Sequence, residues 1–178
     1  TERLFSGSLD LLIDNKHMDP AVYQKSFFSE EHLLLAVPTR LAVNEKMKNY
    51  ALTASDIREN RHLNSRIPPV PLENFQNESF LLLKSGNDTR SRADRICHNA
   101  HIIPKVKLEL DQQITAYNLS RYGMGISFCS DTLVRHVPDD EGLVYYKLNH
   151  QDALREVNFY YKRNRYMSRI VATFLDMI

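Results

Sequence analysis

The chain has 178 residues, of which 43% are hydrophobic and 25% are charged, the proportions of an ordinary soluble globular protein. Its net charge of +1 gives no field that would attract nucleic acid by itself, so this part of the protein is not expected to contact DNA. The two cysteines, Cys97 and Cys129, form no CxxC pair, which fits a reducing cytoplasm. No apolar run approaches the length of a membrane span.

The first part of the chain predicts the end of a helix followed by two strands. Gly7 is expected to stop the helix, and residues 9–13 to form the first strand. Residues 33–37 are continuously apolar and are followed by Pro38, a pattern typical of a strand buried on both faces.

Residues 39–69 contain two helix-like segments, 41–50 and 53–59. Thr53 or Ser55 would cap the second of them, and residues 66–71 (RIPPVP) indicate an extended return. This stretch could cover the mouth of a binding cleft or lie idle on the surface. We favour the idle interpretation, because surface insertions cost little.

The next segment predicts a buried strand over residues 80–83, a polar loop over 84–89 and an amphipathic helix. Ala93, Ile96, Cys97 and Ala100 repeat at helical spacing and would face the core. The backbone N–H groups at the start of this helix suit a carboxylate or phosphate. The alternative is plain capping of the helix by Ser85, Asp88 or Thr89.

Residues 108–136 predict a strand, a helix, a glycine turn and a second strand. Val106 and Leu108 alternate with charged residues, Asp111 can cap the helix, and Gly123 and Gly125 end it. Gly123 would be left-handed, while Gly125 would let the strand over residues 126–129 pack close to the helix. A unit this compact implies parallel strands joined by a right-handed crossover.

The end of the chain predicts strands over residues 142–148 and 155–161, and a final helix capped by Ser168. Its apolar stripe comprises Ile170, Val171, Phe174, Leu175 and Ile178.

No catalytic, metal-binding or cofactor-binding group is expected. Cys97 and His101 lie four residues apart, but Cys97 belongs to the apolar stripe and no second ligand pair has zinc-site spacing. No Ser/His/Asp arrangement accompanies Cys129 that would make it a nucleophile. A buried free cysteine packs as a small hydrophobe more often than it reacts.

The strongest motif in the chain is D-x-x-x-T-x-x-x-L-x-x-x-G-x-G-I. It resembles the effector-binding domain of LysR-type transcriptional regulators, and the flanking segments resemble that family in the same order. The motif residues are Asp111, Thr115, Leu119, Gly123, Gly125 and Ile126, and the flanks are residues 4–14, 27–38, 70–83 and 155–175.

This resemblance implies an α/β, two-lobed periplasmic-binding-protein-like (type 2) fold, with a mixed, mostly parallel sheet flanked by helices in each lobe. Lobe I would comprise residues 1–37 and 145–178, and lobe II residues 38–144 with an inserted helical segment at about 41–66. Pro38 and Val144 would be the hinges. In the family, a helix-turn-helix and then the first strand and most of the first helix of lobe I precede the point where this chain begins.

The implied function is that of a ligand sensor which binds a small, anionic metabolite between the lobes. Such a domain forms a homodimer or tetramer, here through residues 114–122, and reaches DNA only through the helix-turn-helix domain. A periplasmic solute-binding protein of a transporter is the alternative, and a prephenate-dehydratase-like enzyme is disfavoured because a catalytic constellation is lacking. The implied ligand-binding residues are Asp14, Asn15, Ser85, Gly86, Asn87, Thr89, Gln112, Gln113, Ser127 and Cys129.

Overall fold

The computed structural model describes residues 2–138 and 141–177 and has two compact units. The first unit comprises Thr1–Glu31 with Arg155–Ile178, and the second comprises His32–Leu154. The strands are β1 (Leu12–Asp14), β2 (Tyr23–Pro38), β3 (Ser79–Leu83), β4 (Lys105–Leu110), β5 (Ile126–Ser130), β6 (Leu143–Lys147) and β7 (Leu154–Lys162). The α-helices are α1 (Glu2–Ser6), α2 (Val43–Lys46), α3 (Ala54–Arg58), α4 (Asp88–Asn99), α5 (Gln113–Arg121), α6 (Asp131–His136) and α7 (Arg169–Asp176). Short 3₁₀ helices cover Lys48–Tyr50, Arg61–Leu63, Leu72–Phe75 and Gln151–Ala153.

The second unit is built on a mixed sheet in the order β6-β2-β5-β3-β4. β3 pairs in parallel with β4 and β5, whereas β2 pairs antiparallel with β5 and β6. Alternate residues of β2 enter different core clusters, with Leu33 and Leu35 in one and Leu34 and Ala36 in the other. Both faces of this sheet are therefore covered, which explains the uninterrupted apolar run in β2.

The first unit contains β1, β7 and the beginning of β2. β1 pairs antiparallel with β7, with Ile13 opposite Phe159, and β7 neighbours β2. Ser168 caps α7 as predicted, accepting a hydrogen bond from the Val171 N–H at 3.3 Å. None of the described residues of α7 is buried, and Ile178 of its predicted stripe lies outside the described residues.

The chain crosses between the units at points other than the predicted hinges. Pro38 and Val144 both lie inside paired strands of the second unit, where Pro38 pairs with Leu143 and Val37 with Val144. The division falls instead after Glu31 and after Leu154. Pro38 therefore ends β2 inside the second unit and does not start a hinge. The division itself falls within β2, which is one continuous strand.

The inserted segment is packed into the second unit, so the idle-surface interpretation is wrong. Leu52 forms an isolated antiparallel bridge with Tyr145, with both N–O distances at 2.9 Å. Ala54 and Ile57 of α3 are buried in a cluster with Leu52 and Tyr145. Thr53 caps α3 in a reciprocal capping box with Asp56, as one of the two predicted alternatives requires. No helix among the described residues is long and apolar enough to cross a membrane.

Candidate functional site

Three strand-to-helix junctions of the second unit share one edge of its sheet. Because β3 is parallel to β4 and β5, the carboxyl ends of all three strands point to that edge, where α4, α5 and α6 begin. β2 is antiparallel to β5 and pairs Leu33 with Ser130, which brings His32 to the same edge. In open α/β sheets, ligands bind outside the carboxyl ends of the strands.

The loop from β3 to α4 contains three of the predicted ligand residues, and a fourth, Thr89, lies in the first turn of α4. Asn87 is the cap of α4, because its side chain accepts a hydrogen bond from the Thr89 N–H at 2.9 Å; the proposed caps Ser85, Asp88 and Thr89 are therefore wrong. Ser85 and Gly86 are exposed, and Gly86 has a φ of +89°. Thr89 is buried and does not face open solvent.

The charged groups beside this loop already have partners. Lys84 Nζ lies 2.9 Å from the Asp111 carboxylate, and Arg92 Nε lies 2.8 Å from that of Asp88. Arg90 contacts the Leu83 carbonyl and the Glu109 carboxylate. A hydrogen bond to Glu109 raises the pKa of Arg90 above its ordinary value. An anionic ligand would therefore rely on backbone N–H groups and neutral side chains.

The loop from β4 to α5 brings Gln113 to the β5–α6 junction. Asp111 does not cap α5; Gln112 occupies that position without a side-chain cap bond, because Asp111 turns to Lys84. Gln113 Oε1 accepts a hydrogen bond from Ser130 Oγ at 3.4 Å. Gln113 Nε2 is buried and finds no acceptor among the described residues.

Two predicted ligand residues on β5 do not reach the surface. Ser127 is buried and its hydroxyl accepts a hydrogen bond from Ser120 Oγ at 2.8 Å. Cys129 is fully buried, and desolvation raises the pKa of its thiol well above the ordinary range. The prediction assumed an accessible strand end, but both faces of β5 are covered.

The remaining predicted residues lie elsewhere. Asp14 and Asn15 belong to the first unit, at the end of β1, where the Asp14 carboxylate accepts hydrogen bonds from the N–H groups of Asn15 and Lys16. Cys97 is buried in the core, which raises the pKa of its thiol to about 12, whereas His101 is exposed.

Sequence analysis missed a cluster formed by His32, His62 and Asp131. The Asp131 carboxylate is buried and accepts hydrogen bonds from the His32 N–H, the Thr132 N–H, His62 Nε2 and Arg135 Nη2. Burial favours a higher pKa for Asp131, but the hydrogen bonds from His62 Nε2 and the His32 backbone N–H, with the Arg135 charge, outweigh it and hold the pKa well below its usual range. No spacing signal reveals the cluster, because its members lie on β2, the inserted segment and α6.

Comparisons with known proteins define the class to which this fold and sheet edge belong. The chain matches the family model "LysR substrate binding domain" over residues 1–178, and it therefore belongs to that family. The expected α/β fold of the periplasmic-binding-protein-like type 2 is confirmed by the same match and by the solved structures.

Individual relatives are distant but cover most of the chain. An uncharacterized HTH-type transcriptional regulator of Bacillus subtilis (strain 168), YcgK, is 25% identical over 150 residues, which are 81% of this chain and 44% of the relative. The chain spans about half the length of the curated relatives it matches.

Two solved structures show the same fold. The regulatory domain of Synechocystis PCC6803 CcmR in complex with 2-PG has a TM-score of 0.76 at 18% identity, covering 99% of this chain and 74% of that one. The BenM effector-binding domain with benzoate has a TM-score of 0.65 at 21% identity, covering 99% and 72%.

Proposed function

We propose that this domain senses a small anionic metabolite at the carboxyl edge of the second unit's sheet and passes the signal to a DNA-binding domain outside this chain. Gln113 Nε2 is the observation that carries the proposal. A buried donor without an acceptor costs about 1–3 kcal/mol, which a ligand carboxylate would recover. The donor lies where a strand end and the start of a helix meet.

The neighbouring loop supplies further groups for such a ligand. Ser85 and Gly86 are exposed, and the N-terminus of the 12-residue helix α4 follows them. The positive end of the helix dipole favours negative charge at this position. CcmR and BenM were solved with 2-PG and benzoate respectively, which supports a small acid as the ligand class.

The regulatory role rests on family membership and on relatives described as HTH-type regulators, which favour it over a transport-linked solute-binding protein. Such a regulator would act in the cytoplasm as a homodimer or tetramer, by binding without a catalytic step. Tyr122, 78% exposed at the end of α5, suits a subunit contact.

The first test removes the Gln113 donor. We expect Gln113→Met to change the stability of the ligand-free protein little, because it removes the unpaired Nε2 but also the acceptor of the long hydrogen bond from Ser130 Oγ. The same change should weaken binding of the best acid, benzoate or 2-PG, by roughly tenfold or more. Calorimetric titration measures the affinity, and Gln76→Met, at an exposed glutamine, is the matched control.

A second pair of variants separates capping from ligand binding. Asn87 and Thr53 both cap helices, so replacing either with Ala should cost about 1 kcal/mol of stability. Only Asn87→Ala should weaken binding, because the Thr53 cap belongs to the inserted segment. Equal binding by both variants, together with undiminished binding by Gln113→Met, would refute the site.

A further inference from the structure

His32, His62 and Asp131 bring one carboxylate and two imidazoles together inside the second unit. Their ligand atoms all lie within 4.8 Å of one another. His62 Nε2 is 2.9 Å and His32 Nδ1 is 3.5 Å from the same oxygen, Asp131 Oδ2. The side chains of His62 and Asp131 are 1% and 2% exposed, whereas that of His32 is 31% exposed, which leaves one side of the cluster open.

Two of the three separations are close to those of ligands around one metal ion. Bonds of about 2.0–2.1 Å to zinc in a tetrahedron place neighbouring ligand atoms roughly 3.3 Å apart. The two nitrogen–oxygen distances bracket that value. His32 Nδ1 makes no hydrogen bond with any described residue, although it is buried and directed towards the carboxylate.

We infer that His32, His62 and Asp131 form a binding site for a divalent transition-metal ion of the zinc class. Two imidazoles and a carboxylate are the donors that such ions take, and three protein ligands leave a position for water or another small ligand. The inference departs from the sequence-based expectation of no metal site and does not depend on the proposed function.

The surroundings of the carboxylate hold it in place for this role. Asp131 Oδ1 accepts hydrogen bonds from the His32 and Thr132 N–H groups, both at 2.9 Å, so the carboxylate is oriented before an ion arrives. Oδ2 remains for the ion, but Arg135 Nη2 also donates to it at 2.8 Å. The Arg135 side chain is 32% exposed, so it can turn to solvent when an ion takes its place.

Binding would join three separate parts of the second unit. His62 lies in the 3₁₀ helix Arg61–Leu63 of the inserted segment, His32 on β2, and Asp131 at the start of α6. An ion held by all three would fasten the inserted segment to the sheet edge. Because metal-bound imidazole must be neutral, affinity should fall as the solution is acidified.

The test is a calorimetric titration of chelator-treated protein with Zn²⁺, accompanied by thermal unfolding and by Co²⁺ absorption, which reports tetrahedral coordination. We expect one ion per chain, a raised thermal midpoint, and affinity reduced at least tenfold in His32→Gln and His62→Gln. His98→Gln, at an exposed histidine of α4, is the matched control and should bind as wild type does.

Arg135→Gln gives a result that a purely structural cluster would not. It removes the cation that competes for Asp131 Oδ2, so zinc should bind several-fold more tightly even if the apo protein loses stability. His32 is the most exposed of the three ligands, so His32→Gln keeps the test decisive if His62→Gln does not fold. Absence of zinc binding by wild type, or equal affinity in His32→Gln and His98→Gln, would overturn the inference.

Discussion

Gly123 and Gly125 lie two residues apart but are required for different reasons, and substitutions can separate them. Gly123 has a φ of +75°, and its carbonyl accepts a hydrogen bond from Arg40 Nη2 at 2.6 Å. Gly125 has no positive φ; a Cβ there would lie 2.7 Å from the Ser79 carbonyl oxygen and 3.2 Å from Leu81 Cγ. The predicted close approach is thus to β3 rather than to the preceding helix.

For alanine, the two causes give overlapping magnitudes. Gly123→Ala should cost about 1–2 kcal/mol, the penalty of a left-handed conformation for an L-residue. The exposed Arg40 side chain, which a Cβ would meet, can move away. Gly125→Ala pushes a Cβ against the Ser79 backbone at the buried start of β5, where overpacking costs about 1–3 kcal/mol.

Asparagine distinguishes the two positions more sharply than alanine. Asn tolerates the left-handed region, so Gly123→Asn should cost about 1 kcal/mol or less. Gly125→Asn puts a larger polar side chain against Ser79 and Leu81 and should cost a few kcal/mol. Urea unfolding followed by circular dichroism measures both, and equal costs for the two Asn variants would refute this assignment of causes.

Three further outcomes follow from the contacts. The hydrogen bond from Arg95 is the main cause that lowers the pKa of Asp152. The ionised carboxylate therefore stabilises the fold above about pH 4, its unfolded pKa, and this stabilisation is lost as the pH falls through the lower folded pKa. Asp152→Asn should therefore cost about 1 kcal/mol at pH 7, since Arg95 is half exposed, and progressively less in urea titrations as the pH is lowered below 4. Tyr145→Phe should cost about 1 kcal/mol in the same assay, because the buried hydroxyls of Tyr117 and Tyr145 lie 2.6 Å apart. The domain should sediment as a dimer at micromolar concentration, and Tyr122→Glu should shift it towards monomer.

Each of these outcomes has a matched control. Asp111→Asn removes a carboxylate that is 74% exposed and should change stability little at either pH. Tyr50→Phe is the control for Tyr145→Phe, because it alters a half-buried tyrosine outside the Tyr117–Tyr145 pair. Tyr166→Glu changes an exposed tyrosine of the first unit and should leave the sedimentation of the dimer unchanged. A monomeric wild type throughout the micromolar range would contradict the assembly.

Local patterns predicted the elements that local chemistry determines. The left-handed turn at Gly123, the apolar run ending at Pro38 and the Thr53 cap each depend on neighbouring residues, and the structure has them where they were expected. The choice of cap for α4 was not determined in this way. Asn87 lies among several capping residue types, and only the backbone path decides which of them accepts the Thr89 N–H.

The errors share a tertiary origin. The unit boundary after Glu31 falls within β2 and leaves no change of composition to detect. Ser127 and Cys129 were expected at an accessible strand end, but helices and strands far away in sequence cover both faces of β5. His62 and Asp131 are 69 residues apart, and their hydrogen bond exists only because the inserted segment packs beside α6.

The start of α6 connects the two proposed sites through adjacent residues. Ser130 donates to Gln113 on the ligand side, and Asp131 holds His32 and His62 on the metal side. If an ion fixes Asp131, it also restricts Ser130, so ligand and metal affinities should be coupled, and linkage requires the coupling to be equal in both directions. We expect the zinc dissociation constant to change severalfold when the best acid saturates the protein, and the acid's constant to change by the same factor at saturating zinc. In Gln113→Met the coupling should disappear while zinc still binds. Coupling that persists in that variant would mean that Ser130 and Gln113 do not transmit it.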